Sequence, residues 1–238
     1  GGAIHVSEDS SFEARHSLFA GNAAYNSGGA VYVSEGSTFK TNQSTFSRNG
    51  AYVNGGAVAC DHPSAVVVLQ STRFEHNRAR DEGGGACWFV KATGYVTSCT
   101  FDSNEGNSYG GAIEVGEGGH LNVIGSVFTA NQDIRGGAIA LRKKATASIY
   151  STTFQKNSAY QGASLYMLDK SILIVEGSQM SGGVATEGGG IYLTTFCSAI
   201  FKSTTIVGGT ASTFGGGIAV TINSNATFHS TNISNNVA

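Results

Sequence analysis

Glu75 and Asp102 each directly follow a Phe and lie 27 residues apart, and Glu8 and Glu35 are separated by the same interval. Carboxylates stacked on successive turns of an elongated fold can hold Ca²⁺ or work as acid and base on a polysaccharide, usually beside an Arg or Lys. Neither pair has a third carboxylate in its column. The Glu8 and Glu35 column continues as His62, Lys91, Glu117, Lys143 and Asp169. Alternation of sign reads as a solvated face with weak cross-pairs, worth at most ~1 kcal/mol each. His5, His16, His62, His76, His120 and His229 share no ligand spacing. The Gly-Gly motifs are not phosphate loops, since no Lys-Ser/Thr follows them. These residues therefore predict no catalytic residue, no metal site and no cofactor. A pectate-lyase-like enzyme is the weaker alternative, and it would require bound Ca²⁺ and carbohydrate turnover.

The element that spaces these residues is a repeat. Gly-Gly-Ala-Ile opens the chain and returns in recognisable form at Gly28, Gly55, Gly84, Gly110, Gly136, Gly162, Gly188 and Gly215. A fixed period near 27 residues means a solenoid, in which each copy packs on its neighbours. Places four and six of each copy are apolar (Ile4 and Val6, Val31 and Val33, Ile113 and Val115), while the place between them varies freely. That alternation is a strand with one buried face. A second alternating patch follows, as in Phe39 and Thr41 or Leu121 and Val123, and a third ends at Phe19, Phe46, Phe74, Phe101, Phe128 and Phe154. Three strands and three turns per copy predict a parallel β-helix of about nine rungs, with right-handed winding expected. Residues 1–238 then form one elongated domain of roughly 43 Å, at about 4.8 Å per rung.

Asn22, Asn49, Asn77, Asn104, Asn131, Asn157 and Asn236 stand three places after the third-strand residue, with Gly183 and Gly209 taking the same column. Asn and Gly both tolerate left-handed backbone, so a turn with positive φ is expected at this column. The amides are expected to stack as a ladder, and that role is structural. Two residues on, the column is small (Ala24, Ala51, Ala79, Gly106, Ala159, Ala185, Ala211, Ala238) except at Asp133. The third place of each copy is also always small, from Ala3 and Ala30 to Gly190 and Gly217. It is expected to point outward beside an exposed column carrying Tyr32, Trp88, Tyr166 and Tyr192. A smooth strip flanked by exposed aromatics is a candidate binding face for a neighbouring rod, a loop or a sugar ring.

Phe19-Ala-Gly-Asn22-Ala-Ala24 followed by Gly28-Gly-Ala-Val31, and Phe46-Ser-Arg-Asn49-Gly-Ala51 followed by Gly55-Gly-Ala-Val58, resemble the repeats of the chlamydial polymorphic outer membrane proteins. The likeness covers the whole chain, with degenerate copies after residue 170. It implies an exported, surface-displayed, adhesive and non-enzymatic passenger, with glycans or a cell-surface protein as partners. The C-terminal membrane barrel of that family has no counterpart in this sequence.

Composition narrows the partners further. A net charge of −2 argues against nucleic acid and anionic membranes, and no apolar run reaches the ~18 residues a spanning helix needs. Cys60, Cys87, Cys99 and Cys197 have no CxxC spacing, and Cys60 and Cys87 are offset by two places on adjacent rungs, so free buried thiols are expected. Sequons at Asn42, Asn225 and Asn232 permit glycosylation but are no more numerous than chance supplies. Gly1 already begins a full copy and Ala238 stops in phase with Ala24, which predicts an excerpt of a longer array or a unit stacking head to tail. A glycosylated filament of such units, self-associating end to end or laterally, is the second alternative. The favoured reading is an extracellular, structural or adhesive, non-catalytic β-helix.

Overall fold

The computed structural model describes residues 1–238 and contains strands and turns with no helix. Three nine-stranded parallel sheets run the length of the rod. The first begins with Ile4–Val6 and ends with Ile218–Val220, the second spans Ser11–Arg15 to Asn225–His229, and the third spans Leu18–Ala20 to Asn232–Ser234. Register is set by the repeat itself. Val58 lies between Val31 and Cys87, Phe74 between Phe46 and Phe101, and Val67 between Phe39 and Gly94. A slip of one residue would turn every inward side chain outward, so the alternating pattern holds each strand in place.

The turns are stitched as firmly as the strands. Of 172 backbone hydrogen bonds, 95 fall outside the strand ladders, many of them linking equivalent corner residues of successive rungs. A fourth, narrower strip follows the third sheet. It consists of Ala23–Ala24, Gly50–Ala51 and Arg78–Ala79 at one end and Gln132–Arg135, Ser158–Gln161, Val184–Glu187 and Thr210–Phe214 at the other. Single bridges from Glu105 to Arg78 and to Gln132 join the two parts.

One continuous core fills the rod. Its spine is a column of stacked rings, with centroids 4.5 Å apart from Phe19 to Phe46 and 4.7 Å apart from Phe101 to Phe128. From the second rung on, the third place of the repeat is buried: Ala30, Ala57, Ala86, Ala112 and Ala138 lie fully within this core, while Ala3 on the first rung is exposed. This corrects the expectation of an outward small strip. The corner at Gly-Gly aims the third side chain inward, and the apolar column is two residues wide there before alternation resumes. The first Gly of each pair sits at positive φ, as at Gly110 (φ 74°), where a Cβ would run into the carbonyl of Ile113.

A second correction concerns the Asn column. None of Asn22, Asn49, Asn77, Asn104, Asn131, Asn157 and Asn236 has positive φ. The left-handed residue is the one before, as at Arg48 (φ 52°), His76 (φ 53°), Ser103 (φ 55°), Ala130 (φ 53°) and Lys156 (φ 52°). Glycine replaces Asn at Gly183 and Gly209 for another reason: a Cβ at either would overlap the carbonyl of Gly189 or Gly216.

Candidate functional site

The Asn side chains form a ladder inside the rod. Asn77 Nδ2 donates to Asn104 Oδ1 at 3.0 Å, Asn104 Nδ2 to Asn131 Oδ1 at 3.0 Å, and Asn131 Nδ2 to Asn157 Oδ1 at 3.1 Å. Each Oδ1 also accepts the backbone N–H of the preceding Asn, and each Nδ2 reaches the carbonyl of a Phe on the preceding rung, such as Asn104 to Phe74 at 3.0 Å. Every polar atom of these buried amides is thereby satisfied from within the chain, so the column has nothing left for a ligand. A parallel ladder of hydroxyls went unnoticed in the sequence. Ser44 Oγ, Ser126 Oγ and Ser178 Oγ accept the backbone N–H groups of Ser17, Cys99 and Thr152, each at 3.1 Å. Its signal was a column of Ser and Thr at the second corner, interrupted once by Cys99.

Both sequence-selected carboxylate pairs lie on the solvated surface. Glu75 and Asp102 are cross-rung neighbours, and Arg73 bridges them, with its Nη2 at 2.9 Å from Asp102. That guanidinium holds the Glu75 carboxyl below its ordinary range. Glu8 and Glu35 occupy left-handed corners at φ 59° and 50°. Further along the same column Glu117 lies between Lys91 (3.5 Å) and Lys143 (3.1 Å), the alternating pairs expected from the sequence.

The outer face of the first sheet is closed. Tyr166 and Tyr192 are only 3% and 7% exposed and stack at 5.8 Å, while Tyr32 and Trp88 are half-buried. Tyr32 donates its hydroxyl to Asp61 at 2.6 Å. The aromatic strip expected to be open is therefore covered, because the corner before each Gly-Gly folds beside it. Tyr109, from one such corner, packs 6.0 Å from Tyr166 and carries the guanidinium groups of Arg135 and Arg142 over its ring at 5.0 and 4.8 Å.

Beneath Arg142 lies Glu114, fully buried and directly across the rung from Trp88. Arg142 Nε donates to Glu114 Oε1, and Arg142 Nη2 lies 3.8 Å from Glu82. Burial pushes the Glu114 carboxyl up to about 7 against the pull of Arg142, with Glu82 adding to the rise. Glu114 Oε2 and Trp88 Nε1 are both buried without a partner. Asp133, the exception in the small column, is a second buried acid. Its Oδ1 accepts the backbone N–H of Ile134 at 2.5 Å, and its Oδ2 has no partner. Burial holds this carboxyl well above its ordinary value.

Exposed aromatics lie instead on the fourth strip. Tyr25 is 87% exposed and stacks on Tyr52 at 5.6 Å, Arg80 follows in the same column, and further along come Asn107, Ile134 and Tyr160. Nine coaxial rungs, three parallel sheets and an internal Asn ladder define the architecture, and residues 89–238 match the family model of the right-handed β-helix region. The chain belongs to the right-handed β-helix family. Residues 16–34 and 37–61 match the Chlamydia polymorphic membrane protein repeat, so the first rungs of this β-helix are similar to that repeat. No curated protein and no solved structure matches the chain.

The other polar residues of the β-helix fall into place around this frame. Of the sequons, Asn225 and Asn232 are exposed and Asn42 is half-buried at the end of a second-sheet strand. Cys60, Cys87, Cys99 and Cys197 are free and buried, and burial pushes the Cys60 thiol up to about 12 and the Cys99 thiol up to about 11. Thiols with so little thiolate are poor nucleophiles and packing residues only. Tyr109, Arg142 and Glu82 were missed in the sequence because they lie in corners that the repeat leaves free. No helix is long and apolar enough to cross a membrane.

Proposed function

We propose that this β-helix is a surface-displayed, non-catalytic adhesive module that presents a rigid ladder of side chains to a partner. The observation that carries the reading is the fourth strip, where Tyr25, Tyr52 and Tyr160 stand exposed on a backbone hydrogen-bonded rung to rung. Exposed tyrosines on a rigid support bind with little ordering cost, which suits recognition. The similarity of residues 16–61 to polymorphic membrane protein repeats supports a surface location.

The carboxylates speak against an enzyme of the polysaccharide-cleaving kind. A catalytic acid must reach its substrate. Glu114, whose proton affinity would suit the task, lies under Arg142 with no exposed surface, and Glu75 and Asp102 are tied to Arg73.

The test is adhesion. Beads coated with the purified chain are expected to hold to cultured epithelial cells under flow, with albumin-coated beads as the baseline. Equal retention of the two kinds of bead would overturn the adhesive reading. Release of reducing ends or unsaturated products from a panel of polysaccharides would overturn the non-catalytic one.

A further inference from the structure

We propose that the groove on the outer face of the fourth strip, between Asn107 and Ser212, is a binding site for a neutral saccharide. It is an open groove of about 520 Å³, within the roughly 300–1,000 Å³ of small-ligand sites. Its form follows from strand alternation. In one outward column Gln132 pairs with Ser158 and Ser158 with Val184; in the other, Ile134, Tyr160, Thr186 and Ser212 succeed one another. Between them runs the inward column, where Ala159 and Ala185 leave a floor of bare backbone.

The walls carry the chemistry that reads hydroxyl groups. Gln132, Ser158, Thr186 and Ser212 make no side-chain hydrogen bond within the chain, and Asn107 uses only its Nδ2, on the carbonyl of Arg80 at 3.0 Å. Tyr160, 52% exposed, offers a ring face on which the apolar side of a pyranose can stack. Charge selects among ligands. Glu105, the one exposed carboxylate of the groove, is paired with Arg78 at 3.2 Å, and the groove lining contains no Lys, Arg or His. With Arg78 tied to Glu105 and Arg80 one rung outside the lining, a phosphate or a sulfated chain finds no free cation within the groove, whereas an uncharged polyhydroxylated chain meets a matching uncharged surface.

Asp133 supplies an independent mark. It lines the same groove at the one rung where the small column carries an acid, it is only 6% exposed, and its Oδ2 is unpartnered. Opposite it stands Gly106, where a Cβ would overlap that oxygen. A buried orphan acid matched by a glycine, both bordering a groove of free amides and hydroxyls, is the local departure from stable packing that functional sites show.

The inference rests on the adhesive reading and names its partner. Neutral hexaoses of glucose, mannose, galactose and N-acetylglucosamine are titrated into the full chain and followed by amide NMR shifts. At least one is expected to bind, with shifts confined to residues 105–107, 132–134, 158–160 and 184–186. Tyr160→Ala should weaken it about tenfold and Gln132→Ala several-fold. Tyr160→Phe, which keeps the ring and the fold, should bind as the parent does. Tyr95→Ala, on the second sheet, should change nothing. Failure of every hexaose to bind, or loss through Tyr95→Ala with none through Tyr160→Ala, overturns the proposal. The bead assay separates the two readings. Adhesion that survives Tyr160→Ala and Gln132→Ala, or that yields to protease treatment of the cells but not to glycosidases, sinks the saccharide site and leaves adhesion standing. Absence of adhesion by the parent chain sinks the adhesive reading itself.

Discussion

Asn104 Nδ2 donates to Asn131 Oδ1 at 3.0 Å while Asn104 Oδ1 accepts two hydrogen bonds from Asn77, one from its backbone and one from its amide. One side chain thus serves three rungs. Asn104→Ala leaves the Asn77 N–H buried without a partner, which costs ~1–3 kcal/mol, and removes one donor from the Phe74 carbonyl. The loss is expected to be about 1–3 kcal/mol in urea unfolding. Because the left-handed residue is Ser103 and not Asn104, Asn104→Gly should be no milder than Asn104→Ala. A Gly variant clearly more stable than the Ala variant would show that backbone strain at Asn104 matters after all. Ser103→Gly, by contrast, should be stabilising by a few tenths to 1 kcal/mol, since it relieves positive φ.

Gly106 and Asp133 form a matched pair, and a double-mutant cycle tests the match. Gly106→Ala alone drives its methyl into Asp133 Oδ2 and should be destabilising. Asp133→Ala removes a buried acid with an orphan oxygen and installs the residue that most rungs carry at this column, so it should be stabilising by about 1–3 kcal/mol. With both changes the Ala column is unbroken, and the double variant should exceed the sum of the singles. Strict additivity of the two melting-temperature changes would mean that the residues do not touch.

What the sequence made legible follows from how the fold repeats. Strands, rungs and the Phe spine were readable because each is a column in which the same property recurs at every copy. Orientation at the corners was not, because burial there depends on how the chain turns and not on period. Ala30 and Ala57 are small whether they face a tight corner or a core, so the column alone could not choose. The recurrence of Tyr166 and Tyr192 points to the first sheet as the place of exposed aromatics. Their cover comes from Tyr109, Arg142 and Phe214, in corner columns whose residue type changes from rung to rung. Tyr25, Tyr52 and Tyr160 share a column on the fourth strip, a recurrence that was present in the sequence but lies beyond the three-strand frame. Likewise the Asn and Gly exchange had two physical readings, left-handed backbone or close backbone approach, and Gly183 and Gly209 take the second.

Acidification should stabilise this protein through Glu114. Its folded proton affinity corresponds to about 7, above the ordinary 4.5, so between those values the native state binds more protons than the unfolded chain. Stability therefore falls as pH rises through this window and levels off above about 7, a change on the order of 3 kcal/mol. Desolvation drives the shift, Arg142 and Lys143 oppose it, and Glu82 reinforces it. The buried Asp133 carboxyl, also raised, acts in the same direction. Glu114→Gln should remove the Glu114 part of the slope, leave that of Asp133, and gain stability at pH 8 relative to the parent. Urea midpoints measured from pH 4.5 to 8 decide the matter, and a parent curve that rises across this range would sink the assignment.

Arg142 ties three rungs together by reaching Glu114 and Glu82 beneath the ring of Tyr109, and its removal is expected to act through the acid it covers. Arg142→Ala strips Glu114 of its counter-ion and should cost about 3 kcal/mol at pH 8, where the buried carboxyl has to stay charged or take a proton against the pH. At pH 5 the same carboxyl is already protonated, and the cost should shrink to the lost packing on Tyr109. Glu114→Ala supplies the complementary test. Ala59, Ala140 and Ala219 occupy the same place on other rungs, so alanine is compatible with this column. The Arg142→Ala and Glu114→Ala double variant should recover most of the stability lost by Arg142→Ala alone, giving a coupling of roughly 1–3 kcal/mol at pH 8 that fades toward pH 5. A coupling that does not change with pH would mean that Arg142 serves the rod through its contacts with Tyr109 and Glu82 and not as the counter-ion of Glu114.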